Sequence, residues 1–187
     1  MVIVDDKIIY QNEITPEKIV QIAEIALKYD TNLEIIEPFS CSLIKKADQN
    51  VFNLYSTYYE DTPIISDFHD KKAIALMLFA PIELDEKIKQ ELPEGISYFR
   101  FHPFGVDIVE IPHEKGDAVN KVLDYLDIDK SLSVSFGDDL GDISMFLATG
   151  TSYCMGNGKE EAKLAASEII PPITEQGVKK TLEKYYL

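Results

Sequence analysis

Two short apolar runs, at residues 2–4 and 8–10, flank Asp5-Asp6-Lys7 and predict a β-hairpin. Thr15, followed by Pro16, Glu17 and Lys18, reads as the start of a helix, with proline at the first helical position. Ile19, Ile22, Ala23, Ala26 and Leu27 recur on one face of that helix. Residues 33–36 predict a strand that ends at Pro38. Residues 45–59 carry Val51, Leu54, Tyr55 and Tyr58 at helical spacing, and residues 62–65 predict a short strand. The apolar run 72–79 predicts a central strand stopped by Pro81. Residues 84–92 predict an amphipathic helix closed by Pro93 and Gly95, and 96–101 and 106–111 predict two strands joined by a turn at His102-Pro103-Phe104-Gly105. The order is that of an α+β layer, an antiparallel sheet covered by helices.

After Pro112 the pattern changes to strict alternation. Helices are predicted at 116–126, 140–148, 160–166 and 175–185, and strands at 131–136, 152–155 and 168–170. Alternation of this kind predicts a parallel sheet with crossover helices, so the fold class is α/β with an α+β domain before it. The expected domains are residues 1–111 and 112–187. In the strand at 131–136, Leu132, Val134 and Phe136 alternate with Ser131, Ser133 and Ser135, which reads as a buried strand of the parallel sheet.

Gly137 ends that strand, and Asp138, Asp139 and Asp142 follow where it gives way to a helix. The crevice beyond the carboxyl ends of parallel strands is where open α/β sheets place their chemistry. A helical turn would bring Asp138 and Asp142 to one side. Two carboxylates that close repel unless a cation lies between them, and hard oxygen ligands suit Mg²⁺. The competing structural reading is that Asp139 is an N-cap, with Asp142 favoured in the first turn by the helix dipole. Lys115 and Gly116 open the first helix of the second domain. They are placed to hold an anion with the lysine and the backbone N–H groups behind it, or else Lys115 is a solvated neighbour of Glu114. Met155-Gly156-Asn157-Gly158 follows a strand and opens a helix, either letting the backbone approach a neighbouring loop or forming a plain turn. His69, His102 and His113 share no metal-ligand spacing, and His113 lies nearest the Lys115 loop. Tyr55, Tyr58 and Tyr59 read as the edge of a core.

The chain has 33 acidic against 18 basic residues, a net charge of -15. That argues against nucleic acid and anionic membranes as partners, because both select a basic footprint. An anionic substrate would need a local cation. Cys41 and Cys154 lie far apart without a C-x-x-C spacing, as expected of reduced, partly buried thiols. MVIVDDK has neither the basic region nor the apolar run of a signal peptide, and no window is long enough to span a bilayer, so a cytoplasmic location is expected.

The pieces of the second domain form a recognisable set. An E-K-G-x-A-V loop leads through a helix to a strand ending F-G-D-D-x-x-D-I-x-M; M-G-N-G-x-x-x-x-K follows, and T-E-Q-G-V lies near the last helix. This resembles the haloacid-dehalogenase-like (HAD) phosphatase superfamily, in its Cof-type branch, most specifically over residues 110–180. The resemblance implies a HAD-like (Rossmannoid) core with an α+β cap at residues 1–111, and a Mg²⁺-dependent phosphate-ester hydrolase acting on a small phosphorylated metabolite chosen by the cap. Lys115 would neutralise the transferring phosphoryl group, with Gly116 beside it. Asp138 would be a direct Mg²⁺ ligand, and Asp142 would hold the metal through water or orient a ligand. Asp139 and Asn157 would support them.

The family's nucleophile, the first aspartate of D-x-D-x-T, has no counterpart. The nearest candidate is Asp5, but Lys7 and Ile9 occupy the following motif positions. The phosphate-binding Ser or Thr of the first core half is also missing. Gly141 stands where the family usually has Asn, and Gly158 where it has Ala. The chain therefore resembles a cap plus the second half of a HAD core. It is expected not to be competent alone, and the alternative is a non-catalytic remnant or one half of a split protein. In the family the strand at 132–136 pairs with the nucleophile strand. Without it, that edge is expected to be covered by a second copy or by a partner chain.

Overall fold

The computed structural model describes every residue except Tyr59, Glu60 and His113, and the side chain of Tyr58. The reading of His113 as a non-ligand and of Tyr58 and Tyr59 as core edge lies outside the described residues. The chain divides into two compact units, Gln11–His113 and Met1–Tyr10 together with Glu114–Leu187. This differs from the division at 111/112 read from sequence, because the first ten residues group with the C-terminal part. Their strands β1 (Val2–Val4) and β2 (Lys7–Tyr10) form the expected antiparallel hairpin, and both pack on helix α4 (Lys115–Leu126).

The unit Gln11–His113 is a five-stranded antiparallel sheet in the order β4-β3-β5-β7-β6. Its strands are β3 (Asn32–Glu37), β4 (Ser40–Leu43), β5 (Ala75–Phe79), β6 (Ile96–His102) and β7 (Gly105–Glu110). Helix α1 (Pro16–Lys28) starts at Thr15–Pro16 as expected and buries Ile19, Ile22, Ala23, Ile25 and Ala26. These residues meet Leu33, Ile35, Leu76, Leu78, Val106 and Ile108 of the sheet in one core. Helix α3 (Asp85–Lys89) joins that core through Ile88, and Arg100 of β6 holds it by an ion pair to Asp85. On the opposite face, Val51 and Leu54 of α2 (Gln49–Tyr58) cover Leu43 and Phe79.

Four points differ here from the reading of the sequence. Strand β4 was not foreseen, because Ser40 and Ser42 mask its period, yet it pairs with β3 through a tight turn at Pro38-Phe39. Helix α2 starts at 49 rather than 45, where the Asp48 carboxylate accepts from the Asn50 and Val51 N–H groups at 3.0 and 3.1 Å. Residues 62–65 form no strand but give a single bridge, Leu43 to Ile65. Cys41 is exposed rather than partly buried, whereas Cys154 is buried.

The other unit carries a parallel sheet in the order β10-β9-β8, with β8 at Val134–Gly137, β9 at Thr151–Met155 and β10 at Glu168–Ile170. Helices α5 (Ile143–Ala148) and α6 (Glu160–Ala165) cover one face around Phe146, Cys154 and Ala162. Helix α7 (Gly177–Tyr185) covers the other, where Val178 meets Phe136, Tyr153, Met155 and Ile170. The strand expected from 131 begins at 134. Asp129 accepts from the N–H and hydroxyl of Ser131 at 2.8 and 2.6 Å, winding Lys130–Leu132 into a 3₁₀ turn and leaving Leu132 78% exposed. Burial within β8 also runs opposite to its hydrophobicity. Ser135 is buried, bonded to Thr149 at 2.6 Å, whereas Val134 lies at the exposed edge. No helix among the described residues is long and apolar enough to cross a membrane.

Candidate active site

The carboxyl end of β8 is built around Asp142. Gly137 closes the strand, and a Cβ there would lie 2.6 Å from the Asp142 side chain, so only glycine lets that side chain fold back over the strand end. Asp142 Oδ2 then accepts from the N–H groups of Asp138 and Asp139 at 2.8 and 3.1 Å. Asp139 caps the 3₁₀ turn Leu140–Asp142, and the two side chains form a reciprocal capping box. The structural reading of these aspartates is therefore correct in geometry. Asp138 and Asp142 meet because a side chain turns back on the loop, not because a helical turn stacks them.

Lys115 donates to Asp142 Oδ1 at 2.6 Å. The Asp142 side chain is 7% exposed and that of Lys115 61%. Burial pushes the Asp142 carboxyl upward, but Lys115 and the two N–H groups outweigh it and hold the group below the usual range. The repulsion expected between Asp138 and Asp142 is thus met by a lysine and by backbone dipoles. What brings Lys115 to this place is the crossing of α4 and α5. Gly116 is buried there, and an added Cβ would run into the backbone of Ser144. The Gly116 N–H donates to Ser144 Oγ at 3.2 Å and that of Asp117 to the Glu114 carbonyl at 3.2 Å. Gly116 is consequently a packing residue here, and its N–H is not turned to an anion as the sequence suggested.

The loop at 156–159 supports the aspartates from the other side. Lys159 N–H donates to the Asp138 carbonyl at 2.8 Å, and its ammonium pairs with Asp139 at 2.6 Å. That lysine holds the Asp139 carboxyl below its usual range. A Cβ at Gly158 would lie 2.8 Å from the Asp138 carbonyl, the close approach expected of this loop. Asn157 turns elsewhere and accepts from the Ile173 N–H at 3.0 Å, tying the loop to the connection before α7. Sequence reasoning missed Lys159 and Ser144. Position 159, directly after the glycine loop, was the one available signal for the first.

Asp138 is exposed, and its carboxylate takes no hydrogen bond among the described residues. Asp138 and Asp142 form no cluster of three or more ligating side chains with other described residues. One open carboxylate beside a second, engaged one is nevertheless a donor set that fits Mg²⁺, which takes one or two carboxylates and completes its shell with water and phosphate. Asp5 is not at this site's strand ends. It and Asp6 form the hairpin turn with φ of 48° and 62°, outside the parallel sheet. A D-x-D-x-S string, Asp127-Ile128-Asp129-Lys130-Ser131, lies at the amino end of β8, where Asp129 caps the 3₁₀ turn.

The model of the haloacid dehalogenase-like hydrolases matches residues 1–182. The chain belongs to this family. Among its relatives is an uncharacterized protein of Geobacillus stearothermophilus from the region 5′ of pdhA. It is 32% identical over 90 residues, covering 48% of this chain and 95% of that protein. The phosphatase YitU of Bacillus subtilis, named for 5-amino-6-(5-phospho-D-ribitylamino)uracil, is 27% identical over 81 residues, covering 43% of this chain and 30% of that one. The match thus spans less than a third of the length of YitU. Among solved structures, the HAD subclass IIB sugar phosphatase BT4131 superposes with a TM-score of 0.79 at 22% identity, covering 98% of this chain and 71% of that one. The likeness shows the fold, a parallel core with a separate antiparallel cap sheet, as the family implies.

Proposed function

We propose that the Asp138–Asp142 loop with Lys115 is the phosphate- and metal-binding part of a phosphate-ester hydrolase acting on a small phosphorylated metabolite. The observation that carries this reading is the Lys115–Asp142 pair at the carboxyl end of β8, beside the open Asp138 carboxylate. Membership of the family supports hydrolysis of a phosphate ester, and YitU and BT4131 are both named as phosphatases. Lys115, exposed along its side chain, can leave Asp142 partly and donate to a phosphoryl oxygen. Asp142 keeps its two backbone hydrogen bonds while that happens and so holds the loop in shape. Asp138 would hold Mg²⁺, with Asp142 contributing through water or by orienting a ligand. The cation would supply charge neutralisation for the transferring phosphoryl group. Asp139 and Lys159 hold the loop from behind.

No D-x-D-x-T occurs in the 187 residues, and covalent phosphoryl transfer has no substitute for its nucleophile. The chain by itself is therefore a binding half-site, competent only with a nucleophile from elsewhere. The test is hydrolysis of p-nitrophenyl phosphate with Mg²⁺, beside calorimetric binding of inorganic phosphate with Mg²⁺. The expected result is no turnover, and phosphate binding that is weakened by Lys115→Met and by Asp138→Asn. Binding unchanged in both variants would overturn the site. Turnover lost in Asp5→Asn would overturn the half-site reading and make Asp5 the nucleophile.

A further inference from the structure

In the loop at 156–159, Asn157 is the residue that the site leaves unused. It is exposed, and its Oδ1 accepts from the Ile173 N–H at 3.0 Å. Of the chain's six asparagines, it alone precedes a glycine. An asparagine carboxamide and the backbone nitrogen after it can close a five-membered ring, and a side chain on the next residue obstructs that closure. Gly158 has none. The electrophile is also prepared. Ring closure puts negative charge on Oδ1, and the Ile173 N–H is a fixed donor to that atom, the arrangement that stabilises an oxyanion. One bond opposes the step. The Gly158 N–H donates to the Met155 carbonyl at 2.8 Å, so the nitrogen is released only when the loop opens there.

We propose that Asn157 is a site of spontaneous covalent modification, and that its isoaspartate product loosens the loop's hold on Asp138. The deprotonated Gly158 nitrogen attacks Asn157 Cγ and forms the new C–N bond. The Cγ–Nδ2 bond breaks, and the carboxamide nitrogen takes up a proton and leaves as ammonia. Water then opens the succinimide at either carbonyl, giving aspartate or isoaspartate, and no oxidant or other co-reactant enters. Aspartate keeps an oxygen that accepts from Ile173. Isoaspartate carries the chain through the former side chain and inserts one methylene before Gly158. The loop has no room for it, since a Cβ on Gly158 would already lie 2.8 Å from the Asp138 carbonyl and 2.9 Å from Cys154 Sγ. The next contact along the chain is the Lys159 N–H bond to the Asp138 carbonyl, at 2.8 Å, and it is the one that must give.

The proposal stands apart from the phosphatase reading, because its readouts are peptide mass and amide exchange. The folded chain is held in warm, mildly alkaline buffer and then cleaved. Its peptides are followed by mass spectrometry, with fragmentation that separates aspartate from isoaspartate. Asn157 should gain the mass of an amide turned to an acid about tenfold or more faster than Asn53 or Asn120, which are also exposed. Ile173→Pro removes the Oδ1 donor and suits the backbone, because Pro172 before it is extended at ψ 166° and Ile173 opens a 3₁₀ turn. This variant should slow the conversion about fivefold, the worth of one hydrogen bond. Asn157→Gln should abolish the mass gain at that position. In the isoaspartate fraction, exchange at the Lys159 amide should quicken. Aspartate as the sole product, conversion no faster than at Asn53, an unchanged or higher rate in Ile173→Pro, or isoaspartate with Lys159 exchange unaltered overturns the proposal.

Discussion

The two units solve the same problem, covering a sheet, to different extents. In Gln11–His113, Leu33, Ile35, Leu76, Leu78, Val106 and Ile108 are all fully buried under α1 and α3, and α2 covers part of the reverse face. In the unit of Met1–Tyr10 with Glu114–Leu187, the buried residues form two small groups, while Leu132, Leu147, Leu164 and Ile169 stand 60–85% exposed. Both have apolar strands and amphipathic helices, so composition is not the difference. A five-stranded sheet with antiparallel neighbours closes its core by itself. A three-stranded parallel sheet has cores on both faces but leaves the outer edge of β8 without a paired strand among the described residues. Local order and completeness of a core are separate properties: β8 and its loop are well formed although their layer is not.

The comparison can be broken or sharpened by substitution. The largest effect is expected at Leu78→Ala, which empties the finished core and should cost about 3 kcal/mol in urea unfolding. A loss under about 1 kcal/mol would show that the antiparallel unit is loosely packed after all. Gly116→Ala forces α4 away from the backbone of Ser144 and should cost about 2 kcal/mol. Amide exchange should place that loss in α4, α5 and β8 while the Leu78 region stays protected. Asp142→Asn should cost about 1.5 kcal/mol at neutral pH, the worth of a charged hydrogen-bonded group. The sign with pH follows from the lowered folded value. The stabilisation is complete above the ordinary aspartate range near pH 4 and is lost as pH falls through the lowered folded value. An acid titration should therefore show the wild type converging on the variant below pH 4, and parallel curves would refute the assignment. The smallest effect is expected at Leu164→Ala, 85% exposed, where thermal unfolding should shift stability by less than about 0.5 kcal/mol.

Much of this was legible in the sequence where one signal dominated. Thr15-Pro16 marked α1, the Asp5-Asp6 turn marked the hairpin, and the strict alternation after Pro112 gave the parallel sheet. It failed where side chains rewrite the backbone locally. Asp48 and Asp129 capture neighbouring N–H groups, so α2 starts four residues late and β8 three residues late. Serines hid β4 and reversed the faces of β8. At the site, the motif pointed to Lys115, Asp138, Asp139 and Asp142 as neighbours. The partner of each was not readable, because Lys115 reaches Asp142 only through the Gly116–Ser144 crossing, and Lys159 reaches Asp139 only through the loop at Gly158.

The closed circuit around Asp142 makes the shape of this loop independent of an occupant. Its negative charge is answered by Lys115 and by two amides of its own loop, so the arrangement asks nothing of a ligand in order to exist. A constellation with its counterion built in holds its shape without an occupant. A chelator should therefore strip any bound ion from this loop without melting it.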